Sequence, residues 1–489
     1  MIRWRALGLS VCGGVLALYV GQSHVARLAH HQGFDLVTFE DVPHPAIAPR
    51  PRHVVLVVVD GLAADDAPSV PAIASLSADW PCLVTDVGPI SLSRPGYAEL
   101  STGLETDRTG CRTNAESSPL AAQSLWEVAR LSGRRVRAVT EETWWRELFP
   151  RGFDDVVIGE RRDSFFDPST LEDLTLIHPM YVDETAHEFG VTGAEYRAAL
   201  DRLDREMKTL TLDLSRDVLV VTADHGHVLP GGHGGGEARV RHTLTCFSGA
   251  GVRRGPRAGA MPITAVAPIV SALSGLVFPA NLRASSDGDD GLDAVLPLLD
   301  VPPAWLDDRR AAIDRARAIN PAWTSRYASI VRRRSLAVAV AFVAALAAVT
   351  LLARRRLASI AWSLALVVCA LVAMRLVFGR FDLSAVNGTG RFVRIGLTTT
   401  SAVTVVFSAL HALRVRDAMR LAEDLAASVA GLSLLLMAWP AIYGWHGNPP
   451  LPSAEVIFFP VAGSMVLLAM AVSGVVAWGV ARGWGRAGT

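Results

Sequence analysis

Beyond Arg334 the sequence contains five long runs with no Asp, Glu, Lys or Arg: Ser335–Ala353, Leu357–Met374, Ile395–Leu413, Leu425–Trp445 and Val456–Ala481. Each can cross a hydrocarbon core about 30 Å thick at about 1.5 Å per helical residue. A bundle of buried soluble helices could give one or two such runs, but five in succession point to a membrane domain. At the other end, Arg3 and Arg5 precede an uncharged stretch, Ala6–Gly21. This is a signal peptide or a short anchor, and without a clear A-x-A site the anchor is favoured. The expected organisation is an N-terminal transmembrane anchor (1–26), an extracytoplasmic catalytic domain (27–334) and a five-helix membrane domain (335–489).

Charge in the loops orients this scheme. Arg354–Arg356, Arg414–Arg420, Arg482 and Arg486 fit a cytoplasmic side, as do Arg3 and Arg5. Arg332–Arg334 and the segment from Arg375 to Arg394 argue the other way, and the N-terminal anchor decides for an outward-facing middle. The expected location is the plasma or inner membrane. The formal net charge is zero, which gives no support for a nucleic-acid partner. Lys208 is the sole lysine, so Schiff-base chemistry has no residue to spare for it. Among Cys82, Cys111 and Cys246 one disulfide is possible, without a C-x-x-C spacing to assign it.

The middle of the chain reads as α/β. "HVVLVVVD" (53–60) is a continuous β-branched run, as expected of a strand buried on both faces. "SLWEVARLSGRRVRAVT" (124–140) reads as a helix, a glycine stop and a strand. "LTLIHPMYV" (174–182) and "DVLVVTAD" (217–224) read as strands, with a helix over 193–210 between them. Alternating strands and helices predict a parallel sheet covered on both faces. "PISLSRPGYAELSTG" (89–103) reads as a turn running into small residues.

Acidic residues close or follow these strands: Asp60, Asp183 and Asp224. Ligands gather at the carboxyl ends of parallel strands. One such aspartate alone is best read as a helix cap. Histidines change that balance. His187 lies four residues after Asp183, on the same helical face. His225 adjoins Asp224, and His233 sits in "GGHGGG". Such Asp/His sets suit zinc or a similar divalent ion. With a serine they supply seven ligands, enough for two ions. A pair of ions about 4 Å apart activates an attacking oxygen and steadies a leaving one in phosphoryl transfer. His242, in "RVRHTLTCFSGAG", lies before another strand and reads as a core or surface histidine, with lining the site as the alternative.

The segments "VVVDGL", "PISLSRPGYAELSTG", "VDETAHEFG", "TADHGH" and "GGHGG" occur in the order found in the alkaline phosphatase superfamily. They resemble its phosphodiesterase branch, and more closely the ethanolamine phosphate transferases of GPI-anchor synthesis. "TAVAPIVSALSGLVFPAN" (264–281) and "QGFD" (32–35) extend the likeness. The resemblance implies an alkaline-phosphatase-like α/β fold with two divalent ions, most often Zn2+. It places the nucleophile at Ser91, with Asp60, Ser91, Asp224 and His225 around one ion and Asp183, His187 and His233 around the other. Ser93 is then a turn residue. The Leu92 backbone N–H and Arg94 are candidate phosphate contacts, with a surface or salt-bridge role the other one open to Arg94. Departures are Ser for the usual Thr, Gly96-Tyr97 after the proline and Ala186 before the ligand histidine. Read from Ser91, the sulfatase signature fails because Ser93 stands where proline is required.

The function implied is a membrane-bound phosphotransferase. It would move a group such as phosphoethanolamine from a phospholipid donor to a membrane-associated glycan or lipid acceptor through Ser91. The alternative is a phosphodiesterase or phosphatase of the same fold, with water as acceptor. A non-enzymatic transporter or scaffold carrying a relic domain is a third reading, and the complete ligand set speaks against it.

Overall fold

A computed structural model describes residues 2–29, 51–114, 117–159, 165–279, 296–300, 357–378, 389–443 and 454–482, and the single positions 333, 336, 340 and 384. The chain separates into two compact units, 29–325 and 1–28 with 326–489.

The first unit is built on an eight-stranded sheet. In chain order its strands are β1 (Val54–Val58), β2 (Cys82–Asp86), β3 (Val136–Thr140), β4 (Asp155–Ile158), β5 (Leu174–His178), β6 (Val218–Thr222), β7 (His242–Gly249) and β8 (Ala260–Pro262). Their spatial order is β4-β3-β5-β1-β6-β7-β2-β8. β1 lies in the middle, parallel to β5 and β6. Its alternating residues divide between two hydrophobic cores. Val54, Leu56 and Val58 enter one, and Val55, Val57 and Val59 the other. A strand covered on both faces needs no polar alternation, which explains its continuous apolar run.

The sheet is mixed rather than wholly parallel: β7 runs antiparallel to both β6 and β2. Cys82 and Cys246 face each other across the β2–β7 pair and form a disulfide. Cys111 is buried outside it.

Two local expectations change. The segment 174–182 is not one strand. β5 stops at His178, Pro179 breaks it, and a helix runs over Tyr181–Phe189. The segment after Pro89 is a helix, Ser93–Thr102, capped by left-handed Gly103. Pro95 falls in its first turn, where no intrahelical N–H bond is lost. Gly96 lets the helix approach the end of β6, since a Cβ there would stand 2.9 Å from the Asp224 Cβ. The helix expected over 193–210 covers Ala194–Met207. Ser124 and Glu127 form a capping box on the helix Leu125–Leu131.

The second unit contains the helices Ile2–Ala29, Leu357–Phe378, Thr389–Val415, Ala418–Tyr443 and Ala454–Ala481. Ala17 and Val20 of the first pack with Val429, Leu432, Val466 and Met470. Among the described residues, Gly390–Val415 and Val461–Ala481 are long and apolar enough to cross a membrane. The expected span Ser335–Ala353 and the "QGFD" segment lie outside the described residues, apart from positions 336 and 340.

Candidate metal centre

The carboxyl ends of β1, β5 and β6 meet the first turn of the 93–102 helix and a glycine-rich loop. Asp60 follows β1, and Asp224 and His225 follow β6; all three are wholly buried. The His225 Nε2 stands 3.3 Å from Asp60 Oδ1 and 3.4 Å from Asp224 Oδ2. Its Nδ1 donates to the Gly226 carbonyl at 3.3 Å, so Nε2 turns a lone pair toward two carboxylates. Asp60 Oδ1 and Asp224 Oδ2 are buried without a hydrogen-bond partner. Orphaned acceptors around a lone pair would repel each other, and a divalent cation among them removes that cost. Burial, then the charges of Asp60 and Asp183, push the Asp224 carboxyl well above its ordinary range. Burial keeps His225 neutral, its pKa far below the usual value. His225 is thus already in the neutral form a divalent ion requires, and Asp224 would give up its proton when such an ion binds.

The second group comes from the 181–189 helix and the glycine loop. Asp183 Oδ1 is 3.5 Å from His187 Nε2 and 3.6 Å from His233 Nε2, and the two imidazole nitrogens are 3.1 Å apart. Donors about 2.0–2.1 Å from a tetrahedral ion lie about 3.3–3.4 Å from one another, so these edges fit one. His233 donates its Nδ1–H to the Ser91 carbonyl at 2.8 Å, which again aims the Nε2 lone pair inward. Burial lowers the His233 pKa to about 4. The six Asp and His residues expected from the sequence are thus brought together.

The two serines are not placed as expected. Ser91 Oγ donates to the Gly235 carbonyl at 2.8 Å and accepts the Gly234 N–H at 3.1 Å. It clips the glycine loop that carries His233. Ser93, expected as a turn residue, is the first residue of the helix and its Oγ lies 3.1 Å from His225 Nε2. The hydroxyl beside Asp60, Asp224 and His225 is therefore that of Ser93. The two side chains diverge because the backbone passes from extended at Leu92 into the helix.

Arg94 is buried, paired with Glu147 at 2.6 Å and stacked 4.6 Å over Trp144. That is the salt-bridge role. Its backbone N–H donates to Asn114 Oδ1 at 3.1 Å. His242 is exposed at the start of β7.

Three contributors escaped the sequence reading. Tyr97, one turn after Ser93, donates its hydroxyl to Asp60 Oδ2 at 2.5 Å and stacks on Trp145. His178, at the end of β5, stands 3.3 Å from the same oxygen. His227 meets Asp183 Oδ1 at 2.8 Å. The i, i+4 spacing of Ser93 and Tyr97 was the available signal, had 93–102 been read as a helix. His227 stood in plain view in "DHGH".

A family model described as type I phosphodiesterase / nucleotide pyrophosphatase matches residues 122–229. GPI ethanolamine phosphate transferase 3, catalytic subunit, of Homo sapiens is 26% identical over 275 residues, covering 48% of this chain and 25% of that protein. The Mus musculus protein of the same name is 26% identical over 181 residues, 34% of this chain and 16% of the relative. The chain resembles the phosphodiesterase branch of the alkaline phosphatase superfamily. It spans a quarter or less of the length of these transferases. Among solved structures, human ectonucleotide pyrophosphatase / phosphodiesterase 5 aligns at TM-score 0.41 and 13% identity, covering 51% of this chain and all of that one. A 2-O GAG sulfatase aligns at TM-score 0.39 and 14% identity, over 48% and 72% of the two chains. The family match and the transferase relatives support an enzyme acting on phosphoesters.

Proposed function

We propose that the chain is a membrane-bound phosphotransferase with Ser93 as its nucleophile. The observation that carries this reading is the Ser93 hydroxyl 3.1 Å from His225, in a pocket of buried carboxylates and neutral imidazoles. Asp60, Asp224, His225 and Ser93 would hold one divalent ion, and Asp183, His187 and His233 the other. Bound there, zinc-like ions would lower the hydroxyl pKa and offset charge on the leaving oxygen. Ser93 Oγ attacks phosphorus, the donor alcohol leaves with a proton, and a phosphoseryl ester remains. The acceptor hydroxyl then attacks the same phosphorus and releases Ser93. The N–H groups at the start of the 93–102 helix, Leu92 among them, favour the negative phosphoryl oxygens.

Moving the nucleophile from Ser91 to Ser93 changes one exclusion. From Ser93, Pro95 has the sulfatase spacing, and the departure is Tyr97, which stands where that signature needs arginine. Tyr97 is committed to Asp60, so sulfate recognition by that arginine has no counterpart.

The donor we favour is a phospholipid carrying phosphoethanolamine, with a membrane-associated glycan or lipid as acceptor. Three things support it: the transferase relatives, the apolar helices, and the outward apolar residues of the helical unit, such as Val372, Leu376, Val405 and Val476. The catalytic unit would face the extracytoplasmic side, an assignment favoured by the Cys82–Cys246 disulfide. The phosphodiesterase family match favours a second reading, with water as acceptor. The test supplies purified protein with head-group-labelled phosphatidylethanolamine, with and without native membrane extract. Label should appear on Ser93 and then on a membrane acceptor. Water-soluble label alone in both cases would establish the hydrolase.

A further inference from the structure

We propose that His227 is a positioning residue for Asp183 and not a fourth donor of the outer group. This rests on the reading that Asp183, His187 and His233 hold a divalent ion. By distance alone His227 qualifies as a ligand: its Nε2 lies 2.8 Å from Asp183 Oδ1, and Asp183, His187 and His227 place donor atoms within 4.8 Å of one another. The protons decide otherwise.

The His227 Nδ1 accepts the Gly232 backbone N–H at 3.0 Å. A tight loop fixes that donor, with Val228 N–H bound to the Gly232 carbonyl at 3.1 Å and Gly231 N–H to the Val228 carbonyl at 2.9 Å. An imidazole that accepts at Nδ1 carries its proton on Nε2. His227 therefore donates Nε2–H to Asp183 and has no lone pair there for a metal. The alternative tautomer would set Nδ1–H against the Gly232 N–H, two donors face to face. His225 and His233 have the opposite arrangement: each gives Nδ1–H to a carbonyl, Gly226 and Ser91, and turns its Nε2 lone pair to the carboxylates. Gly61 leaves room for the ring, since a Cβ at that position would stand 2.7 Å from His227 Nε2.

The consequence is chemical. With Asp183, His187 and His233 as its donors, the outer group would leave a position for a substrate oxygen, whereas a fourth imidazole would close it as in structural zinc sites. His227 orients the carboxylate and leaves that position open.

Zinc uptake by the full chain in detergent, measured by competition with a chromogenic chelator, tests this. Glutamine places an N–H donor where the His227 Nε2 was. His227→Gln should bind two zinc ions within about threefold of the native affinities, and His227→Ala should weaken one of them by about 10–100-fold. His187→Ala, which removes a donor, should lose one ion. The Co2+-loaded His227→Gln protein should keep the native visible spectrum. If His227→Gln loses an ion as His187→Ala does, or its Co2+ spectrum changes, His227 is a ligand and the inference is wrong. Native affinity in His227→Ala would equally overturn it. His227→Gln carries the test should the alanine variant fail to fold. A native chain that takes up no zinc or cobalt would remove the metal reading itself, and this inference with it.

Discussion

The two donor groups lie at one sheet edge but are built differently. Asp60, Asp224 and His225 hang from the ends of the neighbouring strands β1 and β6, and none has exposed surface. Asp183 and His187 ride on the 181–189 helix and His233 on the glycine loop; the His187 side chain is 36% exposed. Strand register holds the inner group. Hydrogen bonds hold the outer one, from the His233 Nδ1–H to the Ser91 carbonyl and from the His227 Nε2–H to Asp183. The difference teaches that the inner group would be a fixed seat for the proposed nucleophile Ser93, while the outer group has the more exposed side chains.

The largest expected effect tests that seat. Ser93→Ala should lower turnover by at least about 10³-fold, with folding and most metal content retained. Ser91→Ala should be milder, loosening the glycine loop and with it the outer group. An active Ser93→Ala beside a dead Ser91→Ala would invert the comparison, and steady-state kinetics on a generic phosphodiester decides it.

Metal removal comes next. A chelator should strip the two ions in two phases, the fast one from the outer group. His187→Ala should abolish the fast phase, and Asp224→Asn the slow one. Elemental analysis along the time course checks the assignment. One phase for both ions would mean that the difference in burial has no consequence for exchange.

Tyr97→Phe sharpens the inner group. It removes the donor to Asp60 Oδ2 and should cost about 1–3 kcal/mol of stability, read from thermal melts. An unchanged melting temperature would show that His178, 3.3 Å from the same oxygen, satisfies that carboxylate alone.

Glu99 provides a control outside that comparison. It is buried on the same helix, outside the metal site, where Thr106 donates to it from its N–H and hydroxyl. Burial pushes its pKa from 4.5 up to about 8. A carboxyl with a raised folded-state pKa binds its proton more tightly in the folded chain, so stability falls as pH rises from 4.5 to 8 and then levels off. The loss is on the order of a few kcal/mol. Glu99→Gln should melt above the native protein at pH 8.5 and alongside it at pH 4. Equal melting at both pH values would show that Glu99 is ionised in the fold.

Much of this is legible in the sequence. The β-branched run of β1, the strand-end aspartates and the i, i+4 pair Asp183–His187 follow from periodicity and chain order alone. The extent of β5 is hidden because Pro179 sits inside an apolar run, and the 93–102 helix because proline, glycine and serine read as a turn. The reversed direction of β7 left no local signal, since a strand paired on both sides shows the same residues whichever way it runs.

The sequence by itself determined that carboxylates and imidazoles close or follow apolar strands, because the apolar runs stop at those residues. The tertiary structure decided which serine faces them and which histidines offer lone pairs. The physical reason is directional. Ser91 and Ser93 are two residues apart across a change from extended to helical backbone, and the Gly226 carbonyl, the Ser91 carbonyl and the Gly232 N–H set each ring's proton only once the glycine loop is in place.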